Sequence, residues 1–140
     1  MKNTCKCLKT SKNDVKNDLR YFDISEFDSP DLVGSGDQMC CEFLQKIDEA
    51  RHIANIPFVI NSGFRTLEYH KDLGRRGYPT AVKSAHLKGC AADISCTKST
   101  DRWKIINALL SVGFTRIGIA KTFIHVDCDD TRTQNVIWKY

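Results

Sequence analysis

Long hydrophobic runs are missing from this chain. Met1-Lys2-Asn3-Thr4-Cys5-Lys6-Cys7 is basic but leads into no apolar stretch, so neither a secretory signal nor a membrane span is expected there. Synthesis in a host cytoplasm, without membrane insertion, follows as the expectation. Internal repeats and low-complexity segments are also absent, which excludes solenoid and fibrous architectures. A strong charge bias is lacking too: the formal net charge is only +4, an excess common in globular proteins, so no nucleic-acid partner is expected. The two-residue gap of ordinary zinc-binding cysteine pairs occurs at neither Cys5/Cys7 nor Cys40/Cys41. Seven cysteines cannot all pair internally, and without an export signal reduced thiols are the expectation.

What is present is globular. With 41% hydrophobic and 27% charged residues the composition is not that of a disordered chain, and 140 residues suit one domain with a real core. Residues 1 to 20 are polar, rich in Lys and Asn and without a sustained period, and read as a weakly ordered lead-in to a single domain over 21–140. Tyr21, Phe22 and Phe27 supply apolar anchors that would dock on that domain. Asp37 is a candidate N-cap for a helix to about Ala54, with Cys40, Phe43, Leu44 and Ile47 at helical spacing. Phe58-Val59-Ile60 has the pattern of a short buried strand, and Thr66 caps a short helix ending before Gly74. Gly74 to Lys83 reads as an irregular loop. A strand over Ala91–Cys96, a helix capped by Ser99 or Thr100 and ended near Gly113, and a hairpin of Thr115–Ala120 with Phe123–Asp127 complete the pattern. Val136-Ile137-Trp138 reads as a closing segment. The expected fold is α+β, a small mainly antiparallel sheet with helices packed on one side, acting as a monomer.

The chemistry centres on Ser84-Ala85-His86-Leu87-Lys88-Gly89-Cys90-Ala91-Ala92-Asp93. His86 and Asp93 are both zinc-competent, and Gly89 with Ala91 and Ala92 allows close backbone packing between them. A catalytic zinc usually has three protein ligands and an open position, so the pair needs a third donor, for which His125 is the candidate. Alternation along the second hairpin strand puts Asp127 on the same face as His125. The bland alternative is that His and Asp satisfy one another in a metal-free core. His52 and His70 fall in helices and are assigned to no metal, and Cys90 and Cys96 are assigned to packing.

Ser62-Gly63-Phe64-Arg65, then Ser84-x-His86-x-x-Gly89-x-Ala91-x-Asp93, then His125-x-Asp127, in that order, resemble the zinc D-Ala-D-Ala carboxypeptidase and dipeptidase family. That family shares its fold with the Hedgehog signalling domain and includes phage endolysins, and the resemblance covers roughly residues 21 to 128. It implies Zn²⁺ held by His86, Asp93 and His125, and hydrolysis of peptidoglycan peptide bonds by a zinc-activated water. The 21–140 domain is then a zinc peptidase domain, made without a leader and acting on the cell wall after release or as part of a phage particle. The resemblance also implies that Arg65 contacts the substrate carbonyl, where a guanidinium stabilises a developing oxyanion, and that Ser84 lies near the substrate's amino end. Each has a plainer reading, an arginine exposed in a helix-entry loop and a serine used as a cap. One departure matters: the family's acidic residue three positions before the last zinc-binding histidine is Thr122 here. Asp127 is then the nearest candidate base, or else a carboxylate that orients a ligand, with Asp129 and Asp130 as further candidates. The alternative function is a catalytically degenerate module that keeps zinc for stability or for binding wall peptides.

Overall fold

The computed structural model describes residues 18–140, so Cys5, Cys7 and the expected lead-in as far as residue 17 lie outside the described residues. Leu19 and Arg20, expected to belong to that lead-in, are instead tied to the domain. The backbone N–H groups of Arg20 and Tyr21 donate to the Asp48 carboxylate at 3.1 and 3.0 Å, and Leu19 packs against the core. Phe22 and Phe27 are buried, as docking anchors should be.

Five strands form one sheet in the order β1-β2-β4-β3-β5, with β1 Ile60–Ser62, β2 Ala91–Ser95, β3 Arg116–Ile119, β4 Phe123–Asp127 and β5 Val136–Lys139. Every neighbouring pair is antiparallel except β3 and β5. Among the described residues the α-helices are α1 Cys41–Ala54, α2 Leu67–Arg75 and α3 Ser99–Ser111. Strand alternation divides the chemistry between two faces. Ala92, Ile94, Ile117, Ile124 and Val126 are wholly buried in one core with Phe43, Leu44 and Ile47 of α1 and Ile105 and Leu109 of α3. Full burial of each large side chain is worth about 1.5–3 kcal/mol, so this face holds the sheet in shape. The residues between them, Asp93, His125 and Asp127, point to the other face.

The α+β expectation therefore holds, while three boundaries differ. The first helix does not start at Asp37. Ser35–Gln38 form one 3-10 turn, Met39 is extended, and α1 begins only after Cys40, whose N–H donates to the Gly89 carbonyl at 2.8 Å. That tertiary bond takes the chain out of the helical path that its apolar spacing suggested. β1 lies at Ile60–Ser62 rather than Phe58–Ile60, because Phe58 is buried in the core and Val59 only lends its carbonyl to Ser95. α2 runs through Gly74 to Arg75, with Thr66 capping it through the Tyr69 N–H.

The cysteines among the described residues are mostly core. Cys90 and Cys96 are buried, as assigned. The neighbouring Cys40 and Cys90 thiols, together with burial, push the Cys128 thiol pKa up. Cys41 is disulfide-bonded, against the expectation of reduced thiols.

Candidate metal centre

His86 sits on a 3-10 turn, Ala85–Lys88, that the sequence closes at both ends. Ser84 caps it, its Oγ accepting the His86 N–H at 3.2 Å, and Gly89 ends it at φ 72°, a left-handed conformation that favours glycine. A side chain at Gly89 would also run into the Gln38 carbonyl. Within this turn the His86 ring donates from Nδ1 to the Gly63 carbonyl at 2.8 Å, which leaves Nε2 as the lone-pair nitrogen.

His125 is oriented by a different partner. β4 pairs with β2 so that His125 lies opposite Asp93, and with β3 so that it lies opposite Gly118. Its Nε2–H donates to Asp127 Oδ2 at 2.7 Å, while Nδ1 faces Asp93 Oδ1 at 2.8 Å. Asp93 Oδ1 is also 3.3 Å from His86 Nε2. Three ligand atoms, one from each of His86, Asp93 and His125, thus lie within 4.8 Å of one another. Tetrahedral zinc with bonds of about 2.1 Å separates its donors by about 3.4 Å, so the set fits such an ion with little movement. The fit extends outward: each histidine's other nitrogen is already held by an acceptor, as ligating histidines require. All three residues are buried, with exposures of 3%, 7% and 7%.

The electrostatics follow from that packing. Burial lowers the His125 pKa, but hydrogen bonds to Asp127 and Asp93 outweigh it and raise the value to about 9. Burial pushes Asp93 upward, yet the hydrogen bond from His125 and the adjoining His86 ring hold it well below the usual carboxylate range. His86 is pulled down by burial, more than the Asp93 carboxylate restores, which favours a neutral ring. Two carboxylates therefore converge on one histidine, and the second histidine stays neutral.

This cluster forms one wall of a cavity of about 860 Å³. Arg65 lines it, as expected, with Nε donating to Ser62 Oγ at 3.0 Å and Nη2 within 3.5 Å of Asp93 Oδ2. It is not the exposed arginine of the plainer reading, since its side chain is only 14% accessible. Burial lowers its pKa and Asp93 opposes that. Ser84 also lines the cavity while capping the His86 turn. Thr122 does not: it lies exposed on the β3–β4 turn, its carbonyl accepting from Cys96 N–H.

For Asp127, expected either as the base or as a carboxylate that orients a ligand, the geometry favours the second. Oδ2 accepts from His125, while Oδ1 accepts from Arg116 Nε at 2.7 Å and from the Asp129 N–H at 3.1 Å. With 2% exposure and both oxygens engaged, it is placed to hold His125 rather than to take a proton from a water. Asp129 is wholly buried against Lys88, Thr131 and Arg132, and neither it nor Asp130 lines the cavity. Among the described residues, Asp93 and Asp127 are the only carboxylates that do.

Several lining residues escaped the sequence reading. Arg116, Trp138 and Tyr140 are the chief ones. Alternation in Val136-Ile137-Trp138-Lys139-Tyr140 was the available signal for the last two, because it puts both rings on one face of a strand. His70, assigned to no metal, pins the irregular loop instead: its Nε2 bonds the Ala81 carbonyl at 2.7 Å, and Tyr78 to Ala81 close one side of the cavity.

The Peptidase M15 family profile matches residues 11–128. No curated protein matches the chain significantly.

Proposed function

From the premise that this chain belongs to the Peptidase M15 family, we propose that it is a zinc-dependent metallopeptidase hydrolysing peptide bonds in peptidoglycan, a terminal D-Ala-D-Ala bond or one within the stem or crossbridge. The observation that carries the reading is the convergence of His86, Asp93 and His125 donor atoms on a cavity wall, with the outer nitrogens already held by Gly63 and Asp127. When bound, zinc would lower the pKa of a water at its open position and polarise the scissile carbonyl.

The chain's own residues do the rest. Asp127 fixes the His125 ring so that Nδ1 faces the ligand cluster, and Arg116 in turn fixes Asp127. Gly63 does the same for His86. Arg65, cationic beside Asp93, supplies a donor for a carbonyl oxygen that gains charge. Ser84, at the cavity edge, has a hydroxyl proton to offer a substrate backbone. The endolysin-like setting, action on a cell wall from a chain made in the cytoplasm, is part of the proposal.

The test is zinc content and release of new amino groups from purified peptidoglycan, comparing wild type with His125→Ala. About one zinc per chain together with peptide release, both lost in His125→Ala, supports the proposal. A second reading, a zinc-stabilised wall-binding module, draws on the cavity's carboxylates both being engaged. Zinc retained with wall peptides bound but uncut would establish that reading and end the first.

A further inference from the structure

The aromatic end of β5 lies against the site. β5 runs parallel to β3 with Trp138 opposite Gly118, and Gly118 is in turn opposite His125 on β4. Trp138 and Tyr140, two apart, therefore share the face that carries Arg116, His125 and Asp127. Gly118 makes this possible. A Cβ there would stand 2.7 Å from Trp138 Cε2 and 2.8 Å from Tyr140 Cε2, so both rings rest where any other residue would put its side chain.

Trp138 is wedged between the site's own groups, its ring 5.5 Å from the His125 ring and 5.0 Å from the Arg116 guanidinium. Tyr140 continues the wall. Its ring is 6.3 Å from Trp138 and 5.4 Å from Phe123, and its N–H donates to the Ile119 carbonyl at 3.0 Å, which fixes the backbone beneath the ring. The neighbouring indole offers only an N–H donor, so it leaves the phenol's own proton free to give away. Partial burial and the nearby Asp93 and Asp127 carboxylates favour the protonated phenol, with Arg65 opposing.

We propose that Tyr140 is a further catalytic residue, its phenol O–H donating, alongside Arg65, to the substrate carbonyl oxygen as that oxygen gains negative charge. Trp138 is a positioning residue, its ring packed between that of Tyr140 and the His125 ring. The assignment rests on the peptidase reading and adds a neutral donor to the charged one. No bond to Tyr140 forms or breaks; the hydrogen bond only strengthens as charge develops.

The experiment uses the zinc-loaded full chain and purified peptidoglycan, with kcat, KM and metal content measured for wild type, Tyr140→Phe and Trp138→Phe. Removing one oxyanion donor costs about 10²-fold in kcat. Tyr140→Phe is expected to lose about that factor at unchanged KM and unchanged zinc, and Trp138→Phe to lose less. A second readout is binding of a D-alanyl-D-alanine phosphinate, whose anionic oxygen stands in for the developing charge, followed by calorimetry. Tyr140→Phe should weaken it by a similar factor, with unmodified dipeptide binding unchanged. If the wild type cuts peptidoglycan and Tyr140→Phe cuts it equally fast, this inference alone is overturned. Equal phosphinate affinity in the two proteins overturns it too. A wild type that loads zinc and cuts nothing overturns the peptidase reading and this inference with it.

Discussion

At the scale of single residues, the carboxylate–histidine contacts make separable predictions. If Asp127 orients His125, its loss is felt first in the metal, since removing an outer-shell partner typically lowers metal affinity about 10–100-fold. Asp127→Asn should therefore bind zinc more weakly by about that factor in competition with a chromogenic chelator. Zinc affinity equal to wild type, with activity abolished, would restore the general-base role. His125 gives the pH dependence. Its pKa is raised to about 9, so over most of the neutral range a proton must leave before Nδ1 can ligate. Zinc affinity should climb with pH and level off near 9, with about one proton released per zinc at pH 7.5, read by calorimetry in buffers of different ionisation enthalpy. The sign for folding is the reverse. A pKa raised above the ordinary value of about 6.5 stabilises the zinc-free fold fully below pH 6.5, and this contribution is lost as the pH rises through about 9. Zinc-free protein should unfold more readily at pH 9.5 than at pH 6.5, and a flat profile would show that the imidazolium pair contributes nothing.

At the scale of elements, the turn at 85–88 ties sequence to site most directly. His86 reaches the cluster because Ser84 opens the turn, Gly89 closes it left-handed, and the Gly89 carbonyl takes the Cys40 N–H that starts α1. Gly89→Ala meets both a left-handed φ of 72° and the Gln38 carbonyl. A residue forced into that region costs about 1–3 kcal/mol, and the clash adds to it. We expect an unfolding free energy lowered by at least that amount and a weaker zinc site, because the same shift moves His86. Unchanged stability would mean the loop re-forms without the left-handed residue. This turn was legible in the sequence because glycine and serine mark it locally. The start of α1 was not, because its apolar spacing continues smoothly from Asp37 while the bond that interrupts it comes from a residue about fifty positions away. The same limit hid Trp138 and Tyr140: their alternation was visible, but the parallel pairing with β3 that turns them toward His125 depends on Gly118, far back in the chain.

At the scale of the whole molecule, the cluster of His86, Asp93 and His125 proposed as the ligand set was readable because each member lies in a short motif, whereas the contacts of Asp127 depend on Arg116 on the neighbouring strand and could not be read from spacing. The same arrangement makes the metal a cross-link. Its ligands come from the paired strands β2 and β4 and from the 85–88 turn that abuts the start of α1, so one ion would tie that turn to the middle of the sheet. An ion that binds only the folded chain stabilises it by about 4 kcal/mol when present at about a thousandfold over its dissociation constant. For a domain of this size each kcal/mol moves the thermal midpoint by roughly 3–4 °C, so chelation should lower it by on the order of 10 °C. His125→Ala and Asp93→Ala should start near the chelated midpoint and not respond to zinc or chelator, whereas Tyr140→Phe should respond as wild type does. A wild-type midpoint that chelation leaves in place would mean that the two histidines and Asp93 satisfy one another without an ion. The cluster would then be a buried polar network, and the sheet's second face would carry a cavity with no metal chemistry in it.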